Sequence, residues 1–219
     1  MATSSLPTKV VAGVTIPDTP LATKALALAR SVSTDYTYNH INRSLLLGTI
    51  ISDKISELKN RDREAHAVAA ILHDTGFPIG HPPHSEIISQ QNRFEVDGAN
   101  AARDFLKREA DPKEWYKHRL QLVWAAIALH TIGTVVFHKE IEVQAASYGI
   151  WADFQGPDRV PDGLLTWEEY NAVVKVWLLT GTSRLLGLWP PGVPAIRPDE
   201  RSQAENAASL QDEAADNIR

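Results

Sequence analysis

The chain contains no cysteine, which excludes disulfides, thiolate nucleophiles and thiolate-held metals at once. Any metal it binds is therefore held by nitrogen and oxygen. It also lacks a long hydrophobic run. No stretch approaches the roughly 20 apolar residues of a membrane-spanning helix. The N-terminus, MATSSLPTKVVAG, does not have the charged-then-apolar form of a secretory signal. These absences predict a cytoplasmic protein with no membrane role. No basic patch stands out and the formal net charge is −5, which argues against nucleic-acid partners. No Asn-Gly or Asp-Gly pair sits between alternating runs, so the usual short hairpin signal is missing. There is no internal repeat.

What is present is an ordinary globular composition, 43% hydrophobic and 22% charged over 219 residues, enough for one domain with a substantial core. Three prolines in residues 1–20 predict an irregular N-terminal arm. From there the apolar spacing is helical almost throughout, with candidate helices at 21–32, 39–59, 62–74, 96–109, 113–132, 139–154 and 167–180. The expectation is an all-α fold: arm 1–20, a single domain 21–198, and a polar tail 199–219. The longest internal irregular piece, 76–95 with GFPIGHPPHSE, is a candidate binding loop.

Four polar residues fall at the inward ends of helical apolar stripes. His40 heads the stripe Leu47, Ile51, Ile55, Leu58; His73 follows Ala65 and Ala69. His130 closes Leu120, Val123, Ile127, and Asp153 follows Ala146 and Ile150. Taken singly, an inward histidine reads as a hydrogen-bonded core residue. A buried carboxylate is different, because it needs a cation or donors. Asp74 and Asp153 together point to a divalent metal. His73 and Asp74 diverge by about 100° on a regular helix, so they share an ion only where the helix ends. Gly76 is expected to allow that ending by adopting a left-handed conformation.

His40, then His73-Asp74, then Asp153 resembles the H…HD…D signature of the HD-domain superfamily of metal-dependent hydrolases. The phrase YNHINRS around His40, ILHDTG at 71–76 and RFEVDGANAARDFL at 93–106 resemble its cyanamide hydratase-like branch. The resemblance covers roughly residues 30–155. It implies an HD-type helical bundle with a metal, zinc first and iron(II) second, held by His40, His73, Asp74 and Asp153. No histidine lies between His84 and His118, so the second-metal set of two-iron relatives looks incomplete and one metal is expected. The resemblance also makes His130 the acid/base candidate beside substrate, with Asp74 as ligand and catalytic carboxylate.

The surrounding residues carry further expectations. Thr75, Phe77, Phe94, Trp124 and His84 are candidates for contact with substrate, with Trp151 restricting the cavity. His81 or His84 is a possible extra ligand. Glu95 is expected to hold the outer nitrogen of a ligand, and Asp97 to cap a helix starting near residue 98. His66 reads as structural or partly exposed, while His118 and His138 carry no assignment. Residues 74–92 contain no lysine or arginine, so a phosphate dianion lacks the cations it needs there. Arg43 is the nearby cation on a ligand helix, expected to pair with an acidic neighbour. A small neutral substrate fits better, and metal-bound hydroxide adding to a C≡N carbon, as in cyanamide going to urea, is the favoured scheme. The competing readings are a phosphohydrolase of nucleotides or phosphomonoesters, a two-iron oxygenase, and a non-catalytic helical module. Trp167, Trp177 and Trp189 are candidates for a homo-oligomer interface.

Overall fold

The structure is a computed structural model that describes residues 6–79, 85–161 and 163–181. His81, His84, Trp189 and the tail 199–219 lie outside the described residues. Among the described residues, eight α-helices and one two-stranded sheet follow in the order β1 (Thr8–Val11), β2 (Val14–Pro17), α1 (Pro20–Val32), α2 (Asp35–Lys54), α3 (Arg63–Leu72), α4 (Phe94–Glu109), α5 (Lys117–Ala128), α6 (Gly133–Val136), α7 (Ile141–Gln155), α8 (Trp167–Gly181). The fold is an all-α bundle. None of the described helices is long and apolar enough to cross a membrane.

The helix starts follow local capping chemistry. The Thr19 hydroxyl accepts from the Ala22 amide at 3.1 Å, with Pro20 as first helical residue. Thr34 does the same for α2 through Thr37, and Asp62 accepts from both Glu64 and Ala65 at the start of α3. The expected helix 39–59 ends at Lys54, the chain continuing as a 3-10 turn at Ser56–Leu58. The expected helix 113–132 is shorter at both ends, because Asp111 organises a turn that delays the start to Lys117.

The arm was expected to be irregular, and the structure corrects this: residues 8–17 form an antiparallel hairpin pairing Val11 with Val14. Its two-residue turn is Ala12-Gly13, with φ of 51° and 79°. A type I′ turn needs positive φ at both positions. Glycine supplies the second without strain, and alanine in the first place hid the signal.

Helix α3 is the axis of the bundle. It packs on α1, α2, α5 and α7, and its residues 65–72 are all buried. Helices α2 and α7 pack backbone to backbone, and the reason is steric. A Cβ on Gly149 would fall on the Ser44 carbonyl oxygen and lie 2.6 Å from the Gly48 amide nitrogen. One on Gly48 would meet the Ala145 carbonyl at 2.8 Å. The two backbones touch directly along this seam.

His66 is fully buried beside the seam, its Nδ1 accepting from the Arg61 guanidinium at 3.0 Å. Burial, with Arg61 and Arg63 nearby, holds its pKa well below the usual histidine value. The unfolded chain therefore accepts a proton near pH 6.5 that the folded chain refuses. Stability falls as pH drops below 6.5 and keeps falling until the folded value is reached. Chemical denaturation should show less loss of stability between pH 7 and 5 in His66→Gln than in the wild type. In a second measurement, Gly149→Ala should lose more than about 2 kcal/mol, since overpacking a backbone contact cannot be relieved by a side-chain rotation.

Candidate metal centre

Helix α3 ends at Leu72, and the next residues turn tightly: the Thr75 amide bonds the Leu72 carbonyl and the Phe77 amide bonds the Asp74 carbonyl. This ending lets the side chains of His73 and Asp74 converge. Gly76 serves it in a different way from that expected. Its φ is not positive; instead a Cβ there would land on the Phe94 carbonyl oxygen and 2.5 Å from the Gly98 amide nitrogen. Glycine is needed because the turn presses against the first turns of α4.

The His73 Nε2 lies 3.1 Å from the His40 Nε2, and the Asp74 Oδ2 lies 3.4 Å from the first and 3.8 Å from the second. These three residues form a group of ligand atoms close enough to share one metal ion. His130 approaches from the other side, with its Nε2 at 3.7 Å from the Asp74 Oδ1. That oxygen is buried and has no hydrogen-bond partner. All four residues are buried, the most exposed at 4%.

The back nitrogens explain why the Nε2 atoms are available. The His73 Nδ1 donates to the Ala70 carbonyl at 2.8 Å, and the His130 Nδ1 donates to the Ile127 carbonyl at 2.7 Å. A carbonyl can only accept, so each Nδ1 carries its proton and each neutral ring presents a bare Nε2 lone pair. Both histidines follow a leucine at a helix end and bond three residues back. The His40 Nδ1 donates to the Asp153 Oδ2 at 2.7 Å. Two lone pairs facing each other at 3.1 Å repel unless a cation or a proton stands between them. The donor set thus fits a divalent ion of the zinc or iron(II) kind: imidazole nitrogens plus a carboxylate, with one carboxylate oxygen unsatisfied.

Asp153 was expected as the fourth ligand. The structure places it on the outer nitrogen of His40, and its carboxylate is also gripped by Arg43 at 2.6 Å and 2.9 Å. Its pKa falls to about 2: burial opposes ionisation, but Arg43 and His40 outweigh it. Its backbone carbonyl accepts from the Tyr170 hydroxyl at 3.0 Å. Arg43 therefore pairs with an acid, as its sequence context predicted. Asp74 is likewise held below the usual carboxylate range, burial being outweighed by His73, His40 and His130. His73 is raised, because the charge of Asp74 overcomes burial. His130 is lowered to about 4 by burial and by its proximity to His73.

Other expectations meet mixed outcomes. Phe77, Phe94 and His130 form a chain of edge-on rings, with centroids at 5.4 and 5.7 Å, so Phe94 stands beside His130 and Phe77 packs on Phe94. The Thr75 hydroxyl donates to the Leu72 carbonyl at 2.8 Å, closing the end of α3. Trp124 donates to Asn100 on the α4–α5 seam, and Trp151 donates to the His130 carbonyl at 3.1 Å. Glu95 does not hold a ligand's nitrogen; it accepts from Arg93 and from the Thr131 hydroxyl. Asp97 is not the cap of a helix near 98, since α4 begins at Phe94; it accepts from Ser89 and Asn92 and fastens the preceding loop. Phe154, whose ring lies 4.4 Å from that of His40, was not anticipated. Its place next to Asp153 at the end of α7 was the available signal.

Residues 37–135 match the family model of the HD domain, which contains His40, His73, Asp74 and His130. The match supports the HD-domain superfamily of metal-dependent enzymes for this part of the chain. No significant match is found among curated proteins or among solved structures.

Two measurements test the centre. Asp74→Ala should bind no zinc in equilibrium dialysis at concentrations that load the wild type. Because the His73 pKa is raised above 6.5, a proton competes for the position of the metal. Zinc affinity should therefore be weaker at pH 6 than at pH 8, and calorimetry in buffers of different ionisation enthalpy should detect proton release.

Proposed function

We propose that this chain is a metal-dependent hydratase adding water to a small neutral C≡N compound, of which cyanamide is the simplest; the match of residues 37–135 to the HD domain supports the metal-dependent part, and the lack of lysine or arginine in residues 74–92 supports the neutral substrate. The observation that carries the metal-dependent reading is the convergence of His40, His73 and Asp74 with bare Nε2 atoms and an unsatisfied buried carboxylate oxygen. A bound divalent ion lowers the pKa of water toward about 7 and polarises a substrate atom.

The chain's own residues supply the rest. His40 and His73 are held in one orientation by Asp153 and the Ala70 carbonyl, which lessens the reorganisation that gripping an ion requires. His130 presents an unprotonated Nε2 toward Asp74 and can take a proton from the attacking water. The same nitrogen then returns it to the substrate nitrogen that gains electron density as the C–N bond order falls. Phe77 and Phe94 shield this side and limit the room for water.

A neutral substrate is favoured over a phosphate by charge. Residues 74–92 offer no lysine or arginine, and Arg43 is already bidentate on Asp153. Apart from a bound metal, a dianion entering here would meet Asp74 with no lysine or arginine from residues 74–92 to offset it. The phosphohydrolase reading therefore lacks its supporting feature.

The deciding experiment pairs metal quantification on untagged protein with a substrate panel. One zinc per chain and release of urea from cyanamide, without phosphate release from nucleotides or p-nitrophenyl phosphate, is the expected outcome. Phosphate release with no urea would refute the hydratase, and two irons per chain would point to an oxygenase.

A further inference from the structure

His130 lies just past the end of α5, in the turn that leads to α6. Its amide reaches the Ile127 carbonyl at 3.5 Å, beyond the usual range of about 2.7–3.2 Å. The backbone alone therefore holds this residue weakly, and side chains fasten the turn instead. The ring Nδ1 bonds the same Ile127 carbonyl at 2.7 Å, and Trp151 donates to the His130 carbonyl at 3.1 Å. The next residue, Thr131, donates its hydroxyl to Glu95 at 2.5 Å. A hydroxyl that close to an ionised carboxylate is a charge-assisted bond, the strongest kind among these three.

Glu95 is a carboxylate only 1% exposed, in the first turn of α4. Such a group needs donors. Arg93 supplies two, its Nε at 3.2 Å and its Nη2 at 2.6 Å, and Thr131 supplies a third. Burial opposes ionisation of Glu95, but the bonds from Arg93 and Thr131 outweigh it and hold its pKa below the ordinary glutamate value. The same turn of α4 also meets the other half of the centre. A Cβ on Gly76, two residues after Asp74, would land on the Phe94 carbonyl oxygen, while the Phe94 ring lies 5.7 Å from that of His130. Residues 94 and 95 thus hold both the turn after Asp74 and the turn that carries His130. Across that gap the His130 Nε2 faces the Asp74 Oδ1 at 3.7 Å.

We propose that Glu95 is the positioning residue for His130: through the Thr131 hydroxyl it ties the His130 turn to the first turn of α4, and so holds the imidazole Nε2 against Asp74. This rests on the hydratase reading for the proton that His130 moves, and on the bonds above for its placement. Glu95 acts through Thr131 and exchanges no proton with substrate itself.

The test separates the hydroxyl of residue 131 from its methyl. Thr131→Val keeps the shape and removes the donor, Thr131→Ser keeps the donor and removes the methyl, and Glu95→Met removes the acceptor at similar length. On zinc-loaded protein with nitrogen-15-labelled histidine, the His130 ring resonances are assigned by their loss in His130→Gln. Wild type and T131S should show the well-separated Nδ1 and Nε2 shifts of one fixed tautomer. In T131V and E95M the two shifts should move toward each other as the ring loosens. All four proteins should bind zinc equally. In cyanamide turnover T131V and E95M should lower kcat about ten- to hundred-fold with KM within about two-fold, the size expected for a misplaced acid/base, while T131S keeps a kcat within about three-fold of wild type. Unchanged His130 shifts in T131V or in E95M, or equal averaging in T131S and T131V, overturns the inference at any level of activity. Loss of zinc from T131V or E95M also overturns it, by making the bond a general support of the fold. A wild type that takes up zinc and hydrates no cyanamide refutes the hydratase reading, while averaging in T131V and E95M alone would still establish that Glu95 places His130.

Discussion

The position of one proton on each of three imidazoles is the constraint from which the centre follows. Two helix-end carbonyls and one carboxylate fix those protons on the Nδ1 atoms of His73, His130 and His40. Were any of these acceptors removed, a ring could exchange tautomers and its Nε2 would become a donor, useless to a cation. The carboxylate of Asp153 does this for His40 while Arg43 keeps it ionised. A buried triad of this kind is costly to assemble unless each charge has a partner. Here the partners are complete on the outer side and incomplete on the inner side, where Asp74 keeps an unsatisfied oxygen. That asymmetry is what separates a site from a core network.

Backbone contact holds the parts in register. The seam at Gly48 and Gly149 brings α2 and α7 together without an intervening layer of side chains, so His40 and Asp153 meet across it. Gly76 does the same between the turn after α3 and the start of α4, which sets Phe94 beside His130. In both places the small residue matters for what approaches it. The packing of α3 at the middle of the bundle then fixes the end of that helix, and with it the His73-Asp74 pair, relative to every other element.

Much of this was legible in the residues. Inward histidines at stripe ends and the His73-Asp74 pair were enough to bring three of the expected ligands, His40, His73 and Asp74, together from distant segments. The helices were visible in the apolar spacing, most clearly in α1, α3 and α4. What escaped detection depended on contacts that periodicity does not encode. The Ala12-Gly13 turn lacked the usual asparagine or aspartate, so the hairpin was missed. The role of Asp153 depended on which nitrogen of His40 it would face, a matter of ring orientation that helical register alone cannot decide. Glu95 and Asp97 were recognised as polar residues at a helix start, but their partners Thr131 and Ser89 come from loops whose paths are set by tertiary packing.

His73 and His130 each close the last turn of a helix with the same ring that faces the centre. Scaffold and chemistry therefore share the same atoms. A lineage that drifted away from its original substrate would keep both histidines because losing either would unfasten a helix end. The constellation would outlive the activity that first required it, leaving a preassembled cradle open to recruitment for new reactions.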